Sequence, residues 1–285
     1  MNPYSYNTEY LQTLSDRWTK VSFPIISGLV AKSLAAYSPK CILDFGCGAG
    51  VYAGPLASRG AEVSGCDISA TCIESSRNKY STTTQIEHPA DIPPDYYDMI
   101  FTTEVLEHIE DYKGTIREFH RVLREQGTVV LTTTSYSPSI FTMLYQAKNT
   151  EVGLAAMLRA TTNWVAGFFS LKQRDKFIRR WCFQPLGGHY HGFFKSEMKH
   201  AFKAAGFRII SCKAFYAMEP IQMPFLYSYS LRQIIHKREW TWSKRLLATL
   251  TYLAAHVLNR LMKSTHIFAN NFYIIAQKQS DPRKP

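Results

Sequence analysis

Along the first half of the chain, short apolar runs alternate with longer segments in which apolar positions recur every three or four residues. Strand-like segments cover 41–45, 62–66, 84–88, 98–102 and 128–133, and helix-compatible segments cover 51–59, 70–79 and 112–124. Short runs bounded by turn residues read as strands, and the intervening 3.6-residue period reads as helices that cover them. A leading helical segment at 7–37 is predicted to break at Pro24, because proline removes an N–H and crowds the preceding turn. Gly127 is expected to end the helix containing Arg121-Val-Leu-Arg124 and to open the strand from Thr128. Farther on, a helix at 196–205 stops at Gly206, and strands follow at 207–215 and 272–276. This alternation predicts an α/β chain: a doubly wound, Rossmann-like, mostly parallel sheet with helices on both faces.

Two stretches interrupt the pattern. Residues 136–187 follow the fifth strand, where helices can form a lid, and 216–270 join the last two strands. The chain is therefore expected to be one domain, 1–285, with a core at 1–135, a helical lid insertion at 136–187, and a C-terminal part of the sheet at 188–285 that carries the helical insertion 216–270. No internal repeat or low-complexity linker divides it.

Composition changes this picture in two ways. A hydrophobic share of 46% is ordinary for a globular protein, and Met1-Asn-Pro-Tyr-Ser-Tyr has neither the basic region nor the apolar run of an export signal. Six cysteines (Cys41, Cys47, Cys66, Cys72, Cys182, Cys212) form no C-x-x-C pair, which fits a reducing compartment and a cytoplasmic expectation. Charge is divided sharply. Residues 1–135 hold 11 Lys+Arg against 16 Asp+Glu, and residues 136–285 hold 22 against 6. The basic part points to an anionic partner (nucleic acid, a phosphorylated small molecule or a membrane surface) or to a solvated face with none.

The densest chemistry lies in Cys41-Ile-Leu-Asp-Phe-Gly-Cys-Gly-Ala-Gly50. A strand pattern runs into Gly46, Gly48 and Gly50, which allow the backbone to turn sharply and pass close to a ligand at the following helix. A dinucleotide loop would place a further glycine where Val51 stands. The second strand ends on Asp67, placed to accept the hydroxyls of a ribose or, alternatively, to cap the helix beginning near Ser69.

These features, together with Ala90-Asp91-Ile92-Pro93 and the run from Asp98 through Glu104-Val-Leu-Glu107-His108, resemble the class I S-adenosyl-L-methionine-dependent methyltransferases, in particular the group that includes the quinone-biosynthesis O-methyltransferases. The resemblance covers roughly 35–135 and 188–215. It implies a seven-stranded sheet whose last strand is antiparallel. It also implies that Asp44 and the loop Gly46, Cys47, Gly48 and Gly50 meet the methionine part, Asp67 and Ile68 the ribose, and Asp91 and Ile92 the adenine, with Glu104 beside the methionine end.

Glu104, Glu107 and His108 share one face if a helical turn begins there. His108 is then a general base with Glu107 beside it, or Glu104, Glu107 and His108 hold a divalent metal (Mg, Mn or Zn) that acidifies an acceptor hydroxyl. Structural or cofactor-side roles are the plainer alternative. His191, in His191-Gly-Phe193-Phe-Lys-Ser196, resembles the downstream histidine of small-RNA 2′-hydroxyl methyltransferases and joins both candidate sets, with His189 a near neighbour.

The expected activity is methyl transfer to a small or lipid-linked acceptor, at oxygen. An RNA methyltransferase and a non-catalytic cofactor-binding regulator are the alternatives. Phe168–Trp181 interleaves aromatic and basic residues, which suits stacked bases, a lipid interface or an ordinary lid helix. Leu246, Leu247, Leu250, Leu253, Ala254, Val257, Leu258 and Leu261 recur at helical spacing behind Lys237, Arg238, Lys244 and Arg245, and suit core packing or peripheral membrane contact better than a membrane span.

Overall fold

The computed structural model describes residues 8–86, 89–136, 154–181, 189–215, 269 and 271–280. Seven strands form one sheet: β1 (Cys41–Phe45), β2 (Glu62–Asp67), β3 (Thr82–Gln85), β4 (Tyr97–Thr103), β5 (Leu123–Thr134), β6 (Phe207–Phe215) and β7 (Asn271–Lys278). Their order is β3-β2-β1-β4-β5-β7-β6. Neighbours are parallel from β3 through β5, and β7 runs antiparallel between β5 and β6, as the resemblance implied.

The period-two rule explains why this sheet needs helices on both sides. Leu43 and Phe45 of β1, Ile100 of β4, and Val129 and Leu131 of β5 enter one core with Ile116 and Phe119 of α4 (Tyr112–Val122) and Phe202 of α7 (Lys195–Ala204). Ile42, Met99, Phe101 and Val130 enter the other with α1 (Thr8–Tyr37) and Leu56 of α2 (Ala53–Ala57). α3 (Ala70–Ser76) continues as a short 3-10 turn over Arg77–Lys79.

Several elements depart from expectation. α1 runs unbroken through Pro24. The missing N–H costs one rung, but Ile26, Val30 and Leu34, spaced by four and essentially inaccessible, hold the helix to the sheet. β3 lies over Thr82–Gln85, not 84–88, because an edge strand of β-branched threonines needs no apolar run. α4 ends at Val122 and β5 starts at once at Leu123. The register then jumps from the pair Tyr97–Leu123 to Met99–Thr128, and Gln126, at φ 64, takes the left-handed position expected near Gly127.

Of the insertion 136–187, α5 (Leu154–Ala166) and α6 (Leu171–Trp181) form a helical hairpin. α6 is fastened rather than loose. Its buried Arg174 pairs with Glu197, lies over the Phe194 ring at 4.4 Å, and donates to the Gly167 carbonyl at 3.2 Å. Phe177 and Ile178 are buried beside it. Nearly all of the insertion 216–270, including the apolar set at 246–261 and its preceding cations, lies outside the described residues.

Candidate active site

The glycine loop leaves β1 at the sheet's carboxyl end. Gly46, Gly48 and Gly50 adopt φ values of 73°, 50° and 73°, where L side chains are strained. A Cβ on Gly46 would overlap Val105, and one on Gly50 would meet Lys79 and Tyr80, whereas the Cβ position of Gly48 faces open space. The amides of Gly46 and Cys47 both donate to the Cys66 carbonyl at 2.9 Å, tying the loop to β2. Cys47 is buried, and burial pushes its thiol far above the usual range, so it serves the loop by packing.

Asp67 closes this corner. Its carboxylate accepts from the amides of Gly48 and Ser69, each at 2.9 Å, and burial raises its pKa against those bonds. The capping of α3 falls instead to Ser69, whose hydroxyl accepts from the Cys72 amide at 3.3 Å. Ile68 beside it is exposed.

Asp44 is buried, and burial pushes its carboxyl up to about 7 although the Tyr80 hydroxyl, donating at 2.6 Å, pulls the other way. Its Oδ1 is buried without a hydrogen-bond partner. Tyr80 had no motif to announce it. The chain makes room for its ring at Gly50 and Gly65, where a Cβ would collide with it.

After β3, Asp91 is exposed at the end of a short turn, while the Ile92 side chain enters the core. Arg121 of α4 holds this turn by donating to the carbonyls of Ala90 at 3.3 Å and Ile92 at 2.7 Å, a contact between segments thirty positions apart that spacing does not reveal.

The second corner follows β4. Glu104 adopts φ 55, a left-handed conformation unusual for a side-chain-bearing residue, and it is fixed by bonds on every side. Its amide donates to the Thr132 carbonyl at 3.0 Å, while its carboxyl accepts from Thr132 Oγ1 at 2.9 Å and Asn271 Nδ2 at 2.6 Å. Glu107 lies in the 3-10 turn Leu106–His108, inaccessible to solvent, and accepts from Thr133 Oγ1 at 2.8 Å. Burial raises both glutamates, Glu107 to about 6 and Glu104 further because the neighbouring Glu107 carboxyl also faces it. Two carboxyls this close resist being ionised together.

His108 packs edge-on against His189, with ring centroids 4.6 Å apart. Ligand-capable atoms of Glu107, His108 and His189 lie within 4.8 Å of one another. Burial, and the nearby His108, push His189 down to about 3. His191 stands outside this trio. Its Nδ1 faces Asp175 of α6 at 3.2 Å and its Nε2 the Glu110 carbonyl at 3.0 Å, so both ring nitrogens are occupied by protein partners. The backbone places the pair: the amides of Tyr190 and His191 donate to the Glu107 carbonyl. His189 and His191 are thus two positions apart but turned to different tasks.

The residues suit a nucleoside with a charged amino-acid tail. Open space at Gly48, the carboxylate at the end of β2 and the unpaired Asp44 oxygen together form a cradle that a purely structural loop would not need.

A family profile described as a methyltransferase domain matches residues 23–212. The ubiquinone biosynthesis O-methyltransferase of Nitrosomonas europaea is 28% identical over 146 residues, 48% of this chain and 61% of that protein. Its counterpart in Alkalilimnicola ehrlichii is 29% identical over 165 residues, 55% and 65% respectively. The chain therefore spans less than two thirds of these relatives' length. An S-adenosylmethionine-dependent methyltransferase structure from Archaeoglobus fulgidus aligns with a TM-score of 0.55 at 13% identity, over 94% of this chain and 99% of that one. The cyclase SpnF aligns with a TM-score of 0.51 at 14% identity, over 90% and 81%. Such distant likenesses concern the fold alone, and a fold can host several chemistries. By sequence profile, sheet order and cofactor corner, the chain belongs to the methyltransferase domain family, as a class I S-adenosylmethionine-dependent member.

Proposed function

We propose that this chain transfers a methyl group to an oxygen of a small or lipid-linked acceptor. The observation that carries the reading is the meeting, at one end of the sheet, of a glycine cradle and a half-buried cluster of two carboxyls and two imidazoles. The relatives named for ubiquinone biosynthesis support oxygen as the accepting atom.

S-adenosylmethionine, when bound, supplies an electrophilic methyl on a sulfonium. Asp44 and the backbone of Gly46–Gly50 would hold its methionine part, Asp67 and Ile68 its ribose, and the Asp91–Ile92 turn its adenine. The remaining work is to orient the acceptor, exclude water and take a proton from the attacking hydroxyl. His108 is suited to the proton, with Glu107 beside it to stabilise the imidazolium that results. His191 keeps α6 and the Glu110 segment against this corner rather than meeting the acceptor.

Two variants separate the roles. Asp67→Ala is expected to weaken cofactor binding by about a hundredfold, as loss of charged hydrogen bonds does. His108→Ala is expected to cut turnover on a phenolic acceptor by about a hundredfold or more while cofactor affinity holds. Unchanged turnover in the second would remove the base.

The proximity of Glu107, His108 and His189 favours one further reading, in which they hold a divalent cation against the acceptor oxygen. It requires activity to vanish in chelator and return with Mg, Mn or Zn. Full activity in chelator excludes it.

A further inference from the structure

The turn between α5 and α6 is built unlike a turn that meets only water. Such turns favour glycine, asparagine, aspartate and serine. Here Val165, Phe168, Phe169 and Leu171 are 46%, 39%, 87% and 42% exposed within seven positions. Phe168 leans back onto the rings of Tyr136, Trp164 and Phe194, while Val165, Phe169 and Leu171 remain exposed on a turn that is locked from beneath. The Tyr136 hydroxyl donates to the Trp164 carbonyl at 2.8 Å, Arg174 donates to the Gly167 carbonyl, and a Cβ on Gly167 would overlap Tyr136.

Charge is arranged around the same turn. Residues 154–181 hold six basic side chains and one acid, Asp175. That acid faces inward to His191, and Arg174 is spent on Glu197. Lys172, Lys176 and Arg179, at i, i+4 and i+7 of α6, line up along the helix and are exposed, with Arg179 also 3.4 Å from the exposed Glu110 and over the Tyr190 ring at 5.0 Å. A cationic stripe therefore leads to a protruding apolar tip.

We infer that this turn docks on an anionic lipid membrane, with Phe169 and its apolar neighbours entering the interface and the α6 cations meeting the headgroups. The amphipathic division matches what lies in an interface plane. Single-stranded nucleic acid fits less well: Val165 and Leu171 have no ring to stack on a base, whereas a lipid interior accepts all four side chains. The placement also has a use. Tyr136 directly follows β5, so the tip sits at the end of the sheet that carries Glu107 and His108. The inference stands on this surface alone and does not depend on the methyl-transfer reading.

The test is co-sedimentation of the full chain with phosphatidylglycerol–phosphatidylcholine vesicles and with pure phosphatidylcholine vesicles, alongside cofactor affinity. The expected result is binding to the anionic vesicles that weakens with salt. Phe169→Glu should lower that partition about tenfold or more, and Lys172→Glu with Lys176→Glu should lower it by a similar factor and flatten the salt dependence, with cofactor affinity unchanged. No binding at low salt, or variants that bind like the original chain, would overturn the inference. So would binding to single-stranded RNA, or self-association broken by Phe169→Glu, in a protein that ignores vesicles.

Discussion

The two corners of the site are made from different materials. The cofactor corner is backbone and one carboxylate per strand, supplied by residues 44–69. The corner proposed for the acceptor is side chain on side chain, with Glu104 and Glu107 leaning on Thr132, Thr133 and Asn271 from two other strands. The first is specified by local spacing and the second by topology. Mutations at the two corners should therefore fail in different ways.

The harshest test of the cofactor corner is Gly46→Ala. A side chain in left-handed backbone costs about 1–2 kcal/mol and overlap with packed neighbours about 1–3 kcal/mol, so a loss of roughly 2–4 kcal/mol is expected in urea denaturation, together with loss of cofactor binding. Asn271→Ala tests the other corner by taking one donor from a buried carboxyl. It should cost about 1–3 kcal/mol of stability yet leave cofactor affinity within about threefold. Equal damage to cofactor binding from both variants would erase the distinction between the corners.

Tyr80→Phe gives the smallest and sharpest effect, because it removes one hydroxyl. Asp44 sits at about 7, above the usual 3.8, so folding favours its protonated form. That contribution is complete below the usual value and is lost as pH rises through about 7. The Tyr80 bond lowers the pKa, so removing it moves the loss to higher pH. Thermal melts of the variant should show this shift. Cofactor affinity near pH 7 should fall about tenfold and recover in more alkaline buffer, where the carboxylate returns. An unchanged pH profile would make Tyr80 a packing residue only.

What was legible in the sequence follows the same division. Six of the seven strands, the glycine loop and the Asp67 position follow from short strand-like segments and punctuating glycines, which act locally. Pro24 misled because tertiary burial of Ile26, Val30 and Leu34 outweighs one lost rung. β3 shifted because Thr82–Gln85 offers no apolar signal. At the acceptor corner, the Glu104-Glu107-His108 run was visible, but its partners were not. An asparagine opening the apolar strand Asn271–Lys278 was the one available hint that a polar group is wanted there. His189 and His191 look interchangeable by spacing, and only the backbone bonds to Glu107 turn one toward His108 and the other toward Asp175.

The antiparallel insertion of β7 between β5 and β6 has a consequence in time. Asn271 lies 167 positions after Glu104, so on a ribosome it emerges roughly ten to thirty seconds later at ordinary rates of synthesis. Until then β5 is an open edge, and the left-handed Glu104 lacks one of the donors that hold it. The glycine loop and Asp67, which follow β1 and end β2, leave the ribosome long before the strand that completes the second corner. The geometry of Glu104 is thus settled last, by a strand made near the end of synthesis.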